Sequence, residues 1–404
     1  MADAFDSADA YDSADAYDSA DAFDWGLLEP AVGDDHVLAA MVDVEAALSG
    51  AWAELEGTGS ASGAPAFDLA TIDRDRLVAG ARTAGVPIIA LVEQLREQAG
   101  GSAEAVHRGA TSQDIVDTAL VLVSRDGLAR AAGALASAAD TLAGLAEQYR
   151  ATPVVARTLS QPAEPTTVGA MFATWLDGVS SAREAVAALS ASGFPVQLGG
   201  AVGTGAAFVT DSGRGDAPAV LRATVARRLG LADPGRAWHT DRGPVLVIAD
   251  AAARVCAATG RVGRDLALGA RDGRLRPASG GGSSAMPHKQ NPVDAVILSA
   301  NGLRAPGLLA TVHVAALSSD ARPAGEWHAE WQAWRGLVRL ALESAEVLAH
   351  AIAELIVEAT PGADDVPADG VPADAVPAGD ARVTAAGAVI DAAIARHARL
   401  GTSR

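Results

Sequence analysis

The chain has a single lysine, Lys289, against thirty arginines, and a single cysteine, Cys256, in 404 residues. One cysteine excludes an internal disulfide. Flanked by Val, Ala and Arg on a helical pattern, it reads as a buried, inert thiol suited to a reducing, cytoplasmic setting. A basic surface is also lacking: the formal charge is −19, which argues against nucleic acid or an anionic membrane as partner. Apolar runs are broken by Arg, Asp or Gly before about 18 residues. The N-terminus opens acidic rather than basic and then apolar, so neither a membrane span nor a signal peptide is expected. The eight histidines are scattered, with no HxxxH or HExxH spacing, and no metal site is expected.

What is present is mostly helical. Half the residues are apolar, enough for a sizeable core. Long runs at helical spacing cover Asp114 to Arg150, Val168 to Ser190, Pro244 to Ala270, Val293 to Ser318 and Trp334 to Glu358, and Thr111 with Asp114 makes a capping box before the first. No strand-like alternation competes with them. Helices this long and apolar have too little partner surface within one chain, which favours burial in an oligomer. Two segments stand apart. Residues 1–24 repeat aspartate every third position and read as a solvated tail. Residues 361–381 repeat a Pro/Ala/Asp unit and read as an extended loop. The expected organisation is this tail, an N-terminal helical domain (25–106), a central long-helix bundle (107–340) and a small C-terminal helical region (341–404).

The polar, distinctive residues sit between the helices, in HRGATSQD (107–114), ARTLSQPAEPTT (156–167), PVQLGGAVGT (195–204), WHTDR (238–242) and GGGSSAMPHKQNP (280–292). The last holds the lone lysine, so the bias that removed lysine elsewhere was overruled there. A lysine is a slim point charge on a flexible stem, and a guanidinium is a broad, planar fork. The glycines permit closure over a ligand, and the pattern of a phosphate-binding P-loop is absent.

GGSSAMPHKQNP resembles the signature loop of the fumarase/aspartase superfamily, GSSxMPxKxNP, at every fixed position. HRGATSQDIVDT and RTLSQPAEPTT resemble that superfamily's two other motif regions, in the same order, and the likeness spans residues 25–360. It implies an all-α, elongated bundle of long helices, assembled as a homotetramer with a shared core of about twenty helices. It also implies active sites built from motif regions of different subunits. The implied chemistry is proton transfer alpha to a carboxylate with addition or loss of a group at the neighbouring carbon, through an aci-carboxylate, without cofactor or metal.

GATSQDIVDT and ARPAGEWHAEW (321–331) resemble the 3-carboxy-cis,cis-muconate cycloisomerase branch, which lactonises a tricarboxylate in the protocatechuate route of aromatic degradation. Adenylosuccinate lyases show TSSD for TSQD, and Ser-Glu soon after the NP that Val293, Asp294 and Ala295 follow here. Leu159 stands where members that expel an amine or hydroxide carry a histidine. Such leaving groups need a proton donor, whereas a carboxylate, with a pKa near 4, needs almost none. Leu159 therefore favours lactone chemistry. An adenylosuccinate-lyase-like elimination and a silent structural relative are the alternatives.

By motif position, the resemblance assigns the proton transfer to Ser283, as an alkoxide held by loop amides, with Ser284 as the other choice. Lys289 and Asn291 would hold a substrate carboxylate. Thr111, Ser112, Gln161 and Arg242 are the further carboxylate contacts, and His107 helps place the substrate. Arg242 could instead make a structural ion pair, and Thr111 could simply cap its helix. His288 falls at a variable position of the motif. Trp327, His328, Glu330 and Trp331 mark the branch and read as packing.

Overall fold

The structure, a computed structural model, describes residues 32–58, 65–277, 281–282, 286, 289–358 and 380–401. The acidic repeat and residues 361–379 of the proline repeat lie outside the described residues. In chain order the elements are α1 (Asp34–Leu55), α2 (Arg74–Ala84), α3 (Ile88–Ala99), α4 (Ser112–Gln148), β1 (Pro153–Thr158), β2 (Gln161–Thr167), α5 (Val168–Ser192), α6 (Ala206–Ser212), α7 (Ala217–Leu229), α8 (Gly243–Arg271), β3 (Leu275–Pro277), α9 (Val293–Ala315), α10 (Glu326–Ala353), β4 (Leu355–Val357) and α11 (Ala381–Gly401). All five long helices expected from periodicity are present.

Two expectations need correction. The chain is not free of strands: β1 pairs with β2 and β3 with β4, both antiparallel. The last long helix begins at Glu326, not Trp334, and stops at Ala353. Leu355–Val357 leaves the helical path because its backbone pairs with Leu275–Pro277, a partner far away in sequence that local periodicity does not register.

The chain divides into two compact units, Met1–Leu120 with Val196–Ala237, and Val121–Pro195 with Trp238–Arg404. In the first, α1 packs on α7: Leu48, Ala51 and Trp52 meet Leu221 and Val225, with Phe208 of α6 in the same cluster. Local chemistry sets the helix ends. Asp73 caps α2 by accepting from the Arg76 N–H at 3.1 Å, and Gly85, at φ 75°, ends it, a conformation that glycine adopts without steric cost.

In the second unit α8, α9 and α10 pack on one another, and α11 lies against α5. Arg396 holds Glu184 through two nitrogens (2.9 and 2.6 Å), and His397 Nε2 lies 2.8 Å from Asp140, so polar contacts dock the last helix. Cys256 is fully buried on α8, and burial pushes its thiol up to about 12, as an inert thiol requires. By length and composition α9 alone among the described helices could cross a membrane. Its Leu298, Ala305 and Val312 are nevertheless core residues, while Val296, Leu303 and Val314 are exposed.

The α8–α9 crossing depends on glycine. A Cβ on Gly260 would stand 2.8 Å from the Gly302 Cα and 3.2 Å from the Leu298 carbonyl oxygen. Gly260→Ala is therefore expected to destabilise the protein by about 1–3 kcal/mol in urea unfolding, although alanine favours an isolated helix by roughly 1 kcal/mol. Unchanged stability would show that the two backbones can separate at no cost.

Candidate active site

The first motif forms the turn that leads into α4. His107 has φ 61° and Gly109 φ 72°, and a Cβ on Gly109 would sit 2.6 Å from the Phe208 ring. Only glycine fits there. The His107 ring is partly buried, and its Nδ1 lies 2.6 Å from Oε1 of Glu45, a fully buried carboxylate on α1. Thr111 is nearly buried, and Ser112, half-buried, is the first residue of α4. The N-terminus of so long a helix favours an anion.

Asp114 organises this turn. Its Oδ1 accepts from the Gly199 N–H (2.8 Å) and Gln197 Nε2 (3.1 Å), and its Oδ2 from the N–H groups of Gly200 (2.9 Å) and Thr111 (3.1 Å). The last is the reciprocal half of the expected capping box. The carboxyl is fully buried. Burial pushes it up to about 6, against the N–H donors of Gly199, Gly200, Thr111 and Gln197, which pull it down. Thr118 adds a second tie, its hydroxyl donating to the Gln197 carbonyl (2.9 Å) and accepting from the Gln197 N–H (3.0 Å). The glycine-rich PVQLGG segment, read from sequence only as a loop, is thus fastened to the first motif.

The second motif is the β1–β2 hairpin. Leu159 and Ser160, at φ 48° and 64°, form its two-residue tip with both residues left-handed, as tight hairpin turns demand. Asn-Gly would meet that demand with less strain, so the leucine is not there for the turn's sake. Leu159 is 98% exposed, and Gln161 beside it is exposed too.

The third motif is described only at its stem. Gly281 and Asn291 exchange backbone hydrogen bonds (3.1 and 2.9 Å), and the Asn291 side chain reaches the Gly282 carbonyl at 3.5 Å. A Cβ on Gly281 would lie 2.3 Å from Val293 Cγ2. Asn291 therefore closes the loop's base. Lys289 is exposed, its N–H donating to the Met286 carbonyl at 3.0 Å. Ser283, Ser284 and His288 lie outside the described residues.

Arg242 takes the structural role. Its side chain is 2% exposed and that of Glu330 1%. Nε and Nη2 of Arg242 both reach the Glu330 carboxylate, Nη1 donates to the His239 carbonyl (2.9 Å), and the guanidinium lies 4.9 Å from the Trp238 ring centre. So enclosed, it offers no open face to a substrate. Trp327 and Trp331 meet edge to face at 4.7 Å inside α10, which is the packing role expected of them.

Of the sequence-derived candidates, His107, Thr111 and Ser112 fall in the first unit, and Gln161, Arg242, Lys289 and Asn291 in the second. Sequence reasoning missed Glu45, Asp114 as an organising group, and Gln197. Asp114 lies inside HRGATSQD, where the sequence marks it only as a helix cap. Glu45 is one of two acids in the otherwise apolar stretch MVDVEAAL, and nothing local marks its partner.

A family described as lyase matches residues 39–307. The nitrosuccinate lyase of Streptomyces davaonensis is 39% identical over 83% of this chain and 73% of its own length. The 3-carboxy-cis,cis-muconate cycloisomerase of Pseudomonas aeruginosa is 38% identical over 73% of this chain and 66% of its own length. Among solved structures, the 3-carboxy-cis,cis-muconate lactonizing enzyme from Pseudomonas putida superposes with a TM-score of 0.80 at 28% identity, covering 94% of this chain and all of that one. With its three motifs in order along the chain, the first leading into α4 and the second forming a tight hairpin, the chain belongs to this lyase family, the fumarase/aspartase superfamily.

Proposed function

We propose that the protein is a 3-carboxy-cis,cis-muconate cycloisomerase, forming 4-carboxymuconolactone. A carboxylate of the substrate adds to the neighbouring double bond, charge collects on a second carboxylate as an aci-carboxylate, and Ser283 or Ser284 delivers a proton to the carbon alpha to it. The observation that carries this reading is Leu159. The hairpin tip exposes a side chain with no proton to give, at the position where amine-expelling members carry a donor. A carboxylate nucleophile makes no demand for one.

A nitro group departs as nitrite, also a weakly basic anion, so Leu159 fits elimination from nitrosuccinate as well, and a relative of that name is 39% identical. Lactonisation breaks the conjugated diene, so the ultraviolet absorbance of the muconate must fall. No fall with the muconate, together with nitrite release from nitrosuccinate, would transfer the assignment. Turnover of adenylosuccinate would overturn the Leu159 argument itself, and inertness toward all three would favour a silent relative.

Lys289, Asn291, Thr111, Ser112, Gln161 and His107 are the proposed carboxylate contacts. Lys289→Arg should lower kcat/KM about 10- to 100-fold, the worth of one charge-assisted hydrogen bond at about 1.5–3 kcal/mol, with an unchanged melting temperature. Equal activity would mean that any cation serves. A homotetramer is supported by the exposed Val296, Leu303 and Val314 on α9, which a second copy would cover. A cytoplasmic location is supported by the buried thiol.

A further inference from the structure

We propose that Glu45 is the positioning residue of His107, setting both the orientation and the tautomer of the ring. The proposal rests on the reading above, in which His107 faces substrate. Three residues on one face of α1, spaced i, i+4 and i+7, grip the turn around His107. Glu45 takes the ring through Nδ1 (2.6 Å), the Ser49 hydroxyl donates to the Ala105 carbonyl (3.1 Å), and the Trp52 indole N–H donates to the Arg108 carbonyl (3.0 Å). The grip brackets a residue at φ 61°, where a histidine backbone is strained and persists only if its surroundings over-determine it. Arg108 completes the clamp, its guanidinium 3.9 Å from the Trp52 ring centre and 2.6 Å from Glu56 Oε1.

A carboxylate can only accept, so the hydrogen of that contact belongs to Nδ1, and Nε2 is left as the ring atom available to a ligand. Glu45 is an expensive way to hold a turn. It is fully buried, and among the described residues its Oε2 has no hydrogen-bond partner, a costly arrangement for an ionised group. A neutral glutamine would brace the backbone as well, but its amide can donate as readily as accept and so leaves the tautomer undetermined. The carboxylate enforces one tautomer, and this is what the geometry adds beyond support.

The test is a double-mutant cycle on the full-length protein with the muconate as substrate. Glu45→Gln should lower kcat/KM about 10- to 100-fold, the range expected when a reacting group is slightly misplaced, with the melting temperature nearly unchanged. Glu45→Gln combined with His107→Asn should be no slower than His107→Asn alone. Full activity of Glu45→Gln, or effects that multiply in the double variant, would overturn the proposal. If Glu45→Gln does not fold, Glu45→Asp keeps the charge and withdraws it by one methylene; it should lower activity while remaining folded, and full activity would again overturn the proposal.

A second readout needs no turnover. In 15N-histidine-labelled protein, the His107 ring signals, identified by their absence in His107→Asn, should report hydrogen on Nδ1 in the wild type and mixed tautomers in Glu45→Gln. Unchanged ring signals would overturn the assignment. Inertness of the wild type toward the muconate would overturn only the substrate reading, because the ring signals decide the role of Glu45 independently.

Discussion

Replacing Ser283 with alanine is expected to lower turnover of the carboxymuconate by about 10²–10⁴-fold, the usual worth of a positioned proton-transfer group, while the melting temperature stays the same. The reaction needs a proton placed on one carbon next to a carboxylate, and a serine of ordinary basicity is poorly suited to exchanging it unless amides stabilise its alkoxide. The paired backbones of Gly281 and Asn291 fix where the loop leaves the body, and Gly281 cannot carry a side chain without striking Val293. Ser284→Ala, measured beside it, decides between the neighbours: the larger loss marks the proton-transfer residue. Near-normal turnover of both variants would remove the loop serines from the chemistry altogether.

Asp114→Ala is expected to destabilise the fold by about 3–5 kcal/mol in urea unfolding at pH 7. The substitution strips the acceptor from four donors, the N–H groups of Gly199, Gly200 and Thr111 and the Gln197 amide. Each buried donor left without a partner costs about 1–3 kcal/mol, and water entering the gap returns part of the loss. The pH dependence has a definite sign. The folded carboxyl titrates at about 6, above its unfolded value of about 3.9, so the native state takes up this proton first as the pH falls. The contribution of Asp114 is fully present below about pH 4 and declines as the pH rises through 6. The stability gap between wild type and variant should therefore be wider at pH 5 than at pH 7.5, by about 1 kcal/mol. Groups common to both proteins cancel in that difference. A gap that narrows toward pH 5 would mean that the four donors outweigh burial. Activity should fall as well, because the same carboxylate joins the first motif to the glycine loop.

Much of the site was legible because its chemistry is carried in short contiguous motifs. HRGATSQD, RTLSQPAEPTT and GGSSAMPHKQNP each bring several reactive side chains together within a dozen residues, and the third also holds the lone lysine. The parts that stayed hidden depend on pairing across long separations. Glu45 meets His107 over 62 residues, and Asp114 meets Gly200 over 86. Arg242 shows the same limit in the other direction. Within WHTDR it looked as able to bind substrate as to pair, and only the approach of Glu330, 88 residues on, gives it a buried partner.

The fold divides along the same line. Apolar spacing at 3.6 residues per turn by itself determined the five long helices, because that signal is local and repeated over many turns. Residue type alone likewise carried the family motifs and the absence of a proton donor at Leu159. Only the tertiary structure decided that Leu355–Val357 would be a strand, that Arg242 would be sealed against Glu330, and that a buried carboxylate on α1 would hold the first motif's histidine. Each of those outcomes depends on which distant group arrives to satisfy a hydrogen bond or a charge once water is excluded. A one-dimensional pattern does not record that arrival.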